Sequence, residues 1–272
     1  MIKLLAEDRG VVLFGLFAAG VYLFLYAPVL TMVALSFNDS ISIGLPWNRF
    51  TMRWYEETLQ NTAALDAFLN SLKLGVVVSV LSTTLGLGVA LASRRAFRGR
   101  GIVLNSLIMP LLIPGIVLAV GQVTLWNMAG LGRSLWGTVV LGHLVYCVPF
   151  AFLNIFPRVH RFDPDIETAA ADLGARPWTV FVTILLPRIM PGIVASLLFC
   201  FTLSFDEFTR TLFLIGPQNT LPIYFWSNVL SDPSPATSAI ATMSMLFSLA
   251  TVGAGLLILR SIRRFGDSAG AN

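Results

Sequence analysis

Charge is scarce in this sequence: only 12% of its 272 residues are Asp, Glu, Lys or Arg, where soluble domains carry about 25%. With 56% of residues hydrophobic and a mean hydropathy of +0.79, too little polar surface remains to coat a water-soluble globule. The class is integral membrane protein. Cysteine is nearly absent. Cys147 and Cys200 each stand alone inside an apolar run, so neither a disulfide framework nor metal-ligand spacing exists, and both read as small apolar core residues. There is no Gly-x-x-x-x-Gly-Lys-Ser/Thr phosphate loop, which removes ATP hydrolysis of the usual kind from this chain. The net charge of +4 does not point to nucleic acid, because the basic residues gather between apolar runs without interleaved aromatics.

Long hydrophobic runs are what the sequence has in quantity. A spanning helix needs about 20 mostly apolar residues, and such runs occur at 11–37, 74–92, 102–128, 135–156, 184–205 and 239–259. The first is too long for a signal-peptide apolar region and has no small-residue cleavage site after it, so it reads as a retained crossing. The expectation is an all-α polytopic protein with six transmembrane helices in a single transmembrane domain, 1–272. Lys and Arg collect on the cytoplasmic side of a membrane. With six crossings, one side holds thirteen of the eighteen, Lys3, Arg9, Arg94, Arg95, Arg98, Arg100, Arg158, Arg161, Arg176, Arg188, Arg260, Arg263 and Arg264. Both termini are therefore expected in the cytoplasm. The basic run from Arg94 reads mainly as an orientation signal in contact with lipid phosphates.

Two other segments are long: 38–73, where "FTMRWYEETLQNTAALDAFLNSLK" reads as an amphipathic or partly helical lead-in, and about 206–237, which is rich in turn formers and aromatics. Trp54, Tyr55, Tyr224 and Trp226 lie in them and fit interfacial anchoring. Pro110, Pro114, Gly115, Pro149 and Pro191 interrupt runs at membrane depth, where irregular backbone is tolerated if it faces protein or a water-filled cavity. Of acidic and basic residues, essentially His143 alone lies near the middle of a run, and it reads as a hydrogen-bonded core residue.

The stretch 158–183 breaks the pattern. Asp163 fits a helix N-cap, Pro164 the first helical position, and Asp165 and Glu167 the positive end of the helix dipole. Ile166, Ala169, Ala170 and Leu173 then share one face. Gly174 fits a left-handed terminus and Pro177 stops continuation. The result is a helix of two to three turns, marginal alone, whose stripe of alanines must dock on something.

This run resembles the EAA loop of the inner-membrane permease subunits of binding-protein-dependent ABC importers, the MetI-like family. The family signature is roughly E-A-A, three residues, G, nine residues, I-x-L-P. Ala169 and Ala170 match the alanine pair, Gly174 the glycine, and Ile184, Leu186 and Pro187 the downstream motif. Thr168 stands where the family usually has Glu, with Glu167 just before it. Segments such as "APVLTMVALSFND", "LIMPLLIPGIVLAV" and "LSFDEF" are similar to the spermidine/putrescine branch.

The resemblance implies a MetI-like type I importer permease fold in a bacterial inner membrane. It further implies that 158–183 forms a cytoplasmic coupling loop with Glu167, Thr168, Ala169, Ala170, Asp172, Gly174, Ile184, Leu186 and Pro187 serving ATPase coupling. Trp178 and Phe181 would tie that knob to the fifth span. The implied partners are two cytoplasmic ABC ATPase subunits that bind ATP and Mg, a second permease, most simply a different homologous chain, an extracytoplasmic solute-binding protein, and membrane lipid. No cofactor is expected in this chain.

At the far end of the fifth span, Asp206 and Glu207 are adjacent carboxylates in a costly location. They read either as cation-attracting groups on a substrate pathway, with Tyr224 or Trp226 adding cation–π contact, or as a helix end paired with Arg210. A polyamine fits the first reading. Aminoalkylphosphonate, thiamine or an opine-like solute are alternatives within the importer class. An ion-gradient-driven secondary carrier would need charged groups near mid-bilayer, which these runs lack. A scaffold would need no cytoplasmic knob.

Overall fold

The computed structural model describes residues 2–41, 43–94, 96–231 and 233–269, the side chains of 2–9 and 262–269 excepted. Arg95 and the side chains of Lys3, Arg9, Arg263 and Arg264, used above for orientation, lie outside the described residues. Helices are the regular structure of the described residues, joined by turns and loops, with one isolated antiparallel bridge between Asn38 and Phe50. In chain order the helices are α1 Ile2–Leu35, α2 Arg53–Gln60, α3 Thr62–Ala92, α4 Arg100–Ile108, α5 Gly115–Met128 and α6 Val140–His160. They continue with α7 Pro164–Asp172, α8 Pro177–Val180, α9 Leu186–Phe205, α10 Thr209–Leu214, α11 Leu221–Ser231 and α12 Pro235–Ala269.

Five helical stretches are long and apolar enough to cross a membrane: Gly10–Leu35, Thr62–Ala92, Leu135–His160, Pro177–Phe205 and Pro235–Ser261. A sixth exists only if Arg100–Leu112 and Gly115–Met128 count together, and these are bent by 112°. The run 102–128 is thus not a straight crossing. Its prolines supply the reason. Pro110 sits in a 3₁₀ turn, Met109–Leu112, and Pro114 pushes Ile113 out of the helical region, to φ −91° and ψ 130°.

The chain divides into two compact units, Met1–Thr62 with Phe225–Leu246, and Ala63–Tyr224 with Phe247–Asn272. In the first, Asn38 organises the segment after α1. Its carbonyl accepts from Trp54 Nε1 at 2.9 Å and its side-chain oxygen accepts from the Asn48 N–H at 2.9 Å. Asp39 lies between Arg49 and Arg53, and the Tyr55 hydroxyl is 2.6 Å from Ser36 Oγ. Trp54, expected to anchor at a membrane interface, is instead buried by these contacts. Its indole N–H has a protein partner and no need of interfacial water.

The second unit is organised by α6 and α9, which run antiparallel. Cys147 faces Cys200, with the Cys200 thiol donating to the Cys147 carbonyl at 3.4 Å, and Ser196 Oγ donates to the Ala151 carbonyl at 3.2 Å. Small residues and hydroxyls are what let helices approach closely in lipid. α3 completes the core. At Gly86 an added Cβ would lie 2.8 Å from both the Ala151 Cβ and the Phe152 backbone nitrogen, so only glycine permits this crossing of α3 over α6. One apolar cluster includes Leu74, Val78, Leu135, Val139, Cys147 and Cys200. A second, at the other end of α6, includes Ala90, Phe152, Ile155, Phe162, Leu185 and Ile189.

Candidate functional site

The second apolar cluster supports the elbow formed by α7 and its flanks. Asp163 Oδ1 accepts from the Asp165 N–H at 2.9 Å, capping α7, and Pro164 occupies the first turn where its missing N–H costs nothing. The helix ends in a Schellman motif. Gly174 N–H donates to the Ala171 carbonyl at 2.9 Å and Ala175 N–H to Ala170 at 3.0 Å, with Gly174 at φ +84°.

No residue of α7 is buried. Glu167 is partly covered and pairs with Arg94 Nη1 at 2.5 Å. Thr168 is exposed and its hydroxyl donates back to the Pro164 carbonyl at 3.3 Å. Ala169, Asp172 and Gly174 are exposed, and Ala170 is half-buried. Leu173 and Trp178 project from the elbow, 89% and 72% exposed. The downstream residues behave differently. Ile184, Leu186 and Phe181 pack against the second apolar cluster, while Pro187 is exposed. Trp178 reaches that packing only by stacking on Phe181, with ring centroids 5.5 Å apart. Beneath the elbow lies a cleft of about 1010 Å³, lined by Arg94, His160, Glu167, Thr168 and Phe181 among others.

The opposite end of α9, about 30 Å away at 1.5 Å per residue, holds a buried polar network. Arg210 is 5% exposed. Its guanidinium donates to Glu207 Oε2 at 2.7 Å, and its backbone N–H donates to Glu207 Oε1 at 3.0 Å. The guanidinium carbon lies 3.9 Å from the Tyr146 ring centroid. His143 sits between α9 and α10, Nδ1 2.8 Å from Ser204 Oγ and Nε2 3.0 Å from Thr211 Oγ1. The Thr211 hydroxyl spends its single proton on the Glu207 carbonyl at 2.7 Å. It therefore accepts from Nε2–H, which leaves Nδ1 to accept from Ser204. His143 is thus the hydrogen-bonded core residue its position suggested.

Asp206 and Glu207, adjacent in the chain, part company here. Glu207 is neutralised by Arg210, as the local spacing allowed, but out of water and not at a solvated helix end. Asp206 has no cationic partner among the described residues; its carboxylate accepts from Ser248 Oγ at 3.3 Å. Burial pushes its carboxyl above the usual carboxylate range, and the Ser248 bond opposes that rise. Tyr224 and Trp226 both sit on α11, the first half-buried and the second 43% exposed. Reading the sequence missed Arg94, which lies 73 positions from Glu167 and carries no local signal of that pairing. Among the described residues no three His, Cys, Asp or Glu side chains gather as a metal site.

A family model described as the inner membrane component of binding-protein-dependent transport systems matches residues 82–264. The spermidine/putrescine transport system permease protein PotC of Escherichia coli strain K12 is 34% identical over 253 residues, 92% of this chain and 95% of that protein. The putrescine transport system permease protein PotI of the same strain is 35% identical over 231 residues, 82% of each chain. Among solved structures, a bacterial alginate ABC transporter in complex with an alginate-bound periplasmic protein contains a chain with TM-score 0.69 and 18% identity, aligned over 95% of this chain and 96% of its own. A chain of the inward-facing MetNI methionine ABC transporter aligns at TM-score 0.59 and 14% identity, over 78% of this chain and 99% of its own. These share the fold. The chain belongs to the inner-membrane-component family of binding-protein-dependent transport systems, as a multi-pass ABC importer permease subunit of MetI-like fold.

Proposed function

We propose that this permease imports small cationic amines of the spermidine and putrescine kind, and that separate ATPase subunits drive it through α7. The observation that carries the substrate is the identity of 34–35% to two polyamine permeases across most of the chain. In support of the drive, α7 is a capped helix with no buried residue, and Leu173 at its end and Trp178 in α8 project outward. A short helix with an exposed apolar tip gains stability by seating in a partner. In this reading two cytoplasmic ATPases hold ATP and Mg and grip the elbows of this chain and of a homologous sister permease. An extracytoplasmic solute-binding protein delivers the solute, and both termini lie in the cytoplasm. ATPase closure draws the elbows together and alternates access to the pathway. The chain itself performs no hydrolysis.

The test is reconstitution of the complex in liposomes with spermidine-loaded binding protein. Hydrolysis rises when the loaded binding protein is added, and labelled spermidine accumulates inside. Hydrolysis indifferent to the binding protein would count against the importer drive. Uptake of another solute in place of the polyamine would replace the substrate and leave the drive standing.

Asp206 is the pathway carboxylate of this proposal. Asp206 is exposed just past α9 and carries no counter-ion among the described residues, so its carboxylate is open to a passing ammonium group. Asp206→Asn therefore raises the concentration for half-maximal polyamine uptake by roughly tenfold, the equivalent of one lost charged contact of about 1.4 kcal/mol. Hydrolysis stimulated by the binding protein persists. Unchanged uptake would leave Asp206 an ordinary helix-end charge.

A further inference from the structure

We propose that Phe162, Arg94 and Arg188 form a three-way joint that carries motion of α7 to the ends of α3 and α9, with the Arg94–Glu167 pair as its strut. The joint rests on the reading of α7 as the gripped element. The geometry is specific. Phe162, in the three-residue turn from α6 to α7, is 8% exposed and belongs to the second apolar cluster. The Arg94 guanidinium carbon, just beyond α3, lies 5.4 Å from its ring centroid, and that of Arg188, in the first turn of α9, lies 5.5 Å from it. Both distances fall inside the range where a cation is held by an aromatic ring. Arg94 also reaches α7, donating to Glu167 Oε1 at 2.5 Å. One ring and three charged groups thereby join α3, α6, α7 and α9.

Little else fastens α7. None of its residues is buried, the cleft of about 1010 Å³ opens beneath it, and Ile166 alone of its side chains joins the apolar packing. Over such a cleft the helix has room to tilt, and the strut limits that tilt. Glu167 is the carboxylate nearest the family's usual Glu position. Here it is satisfied within the chain, so a partner's grip falls on the exposed tip, Asp172, Leu173 and Trp178. Arg94 then acts as a positioning residue: it touches neither nucleotide nor solute, but it sets how far the elbow moves before the spans follow.

The test uses the complete complex in liposomes and reads solute imported per ATP hydrolysed, with co-purified ATPase as the measure of assembly. Arg94→Gln and Glu167→Gln each lower that ratio at least fivefold, the low end of usual coupling between sites, about 5–150-fold. The double variant is no worse than either single one. Exchange of the two charges, Arg94→Glu with Glu167→Arg, restores the pair and recovers part of the ratio, the lost cation over Phe162 keeping it below the parent, and Arg94→Lys keeps most of it. Arg98→Gln, which removes an exposed charge from the same loop, leaves the ratio unchanged. Additive losses, or a charge exchange that recovers nothing, would overturn the strut. A parent complex without stimulated hydrolysis would instead sink the drive on which it rests, while normal ratios in both single variants of a working parent sink the joint alone.

Discussion

Gly174→Leu abolishes solute uptake while the chain still enters the membrane. Gly174 stands at φ +84°, and its N–H with that of Ala175 closes the end of α7 on the Ala171 and Ala170 carbonyls. A residue with a Cβ pays about 1–2 kcal/mol for that conformation. No heavy atom lies within 4 Å of an added Cβ, so no clash inside the chain contributes. The loss comes from two sources: a strained terminus that splays Leu173 away from α7, and a bulky side chain on the surface offered to the ATPase. The two separate by substitution. Gly174→Asn, whose side chain tolerates the left-handed region, keeps the terminus and retains substantial uptake. Gly174→Ala carries the strain with little bulk and falls between. The measurement is polyamine uptake in liposomes, with ATPase co-purification beside it. Uptake at parental rates by the leucine variant would remove the docking reading of α7.

Arg210→Ala destabilises the protein by about 3–5 kcal/mol, the cost of stranding one member of a buried ion pair. The side chains of Arg210 and Glu207 are only 6% and 14% exposed, so solvent screens the stranded carboxylate poorly. The substitution also removes the stack on Tyr146 and leaves α10 without the guanidinium that holds its start. Adding Glu207→Gln to Arg210→Ala restores most of the loss, because an amide needs no counter-ion. Thermal unfolding of the detergent-solubilised chain reads both effects. If the single variant unfolds at the parental temperature, the pair is not holding the network together. Asp206→Asn leaves the unfolding temperature near that of the parent, which separates a pathway carboxylate from a structural one two atoms of backbone away.

How much of this was legible in the sequence depended on the distance between cause and effect. α7 was readable because its instructions are local: Asp163 and Pro164 begin it and Gly174 ends it, all within twelve positions. The Glu207–Arg210 pair was readable as a pairing for the same reason, at three positions' separation. Its burial was not, because that comes from Tyr146 on α6 and from Gly115 at the start of α5, where an added Cβ would lie 3.5 Å from Arg210 Nη2. The Pro110 to Gly115 stretch signalled irregular backbone, but not that the two halves would be bent by 112°. α10 and α11 were hidden in 206–237 by turn-forming residues such as Gly216, Pro217 and Asn219. The partly helical lead-in before the apolar run at 74 is α2 and the start of α3 at Thr62, since Asp66, Asn70 and Lys73 are compatible with helix although not with hydrocarbon. The joint at Phe162 was not legible at all. It draws residues 94, 162, 167 and 188 from four separate helices or their ends, and nothing near any of them in the chain announces the others.

The facing thiols of α6 and α9 have a practical corollary. Cys147 and Cys200 are the only cysteines in the sequence and both are sealed in the core. A maleimide dye added to the intact protein therefore finds no native target, and a single cysteine placed at Leu173 or Trp178 can be labelled without first stripping the parent of its own. Fluorescence from the tip of the elbow then becomes a direct gauge of when, and how firmly, the motor takes hold.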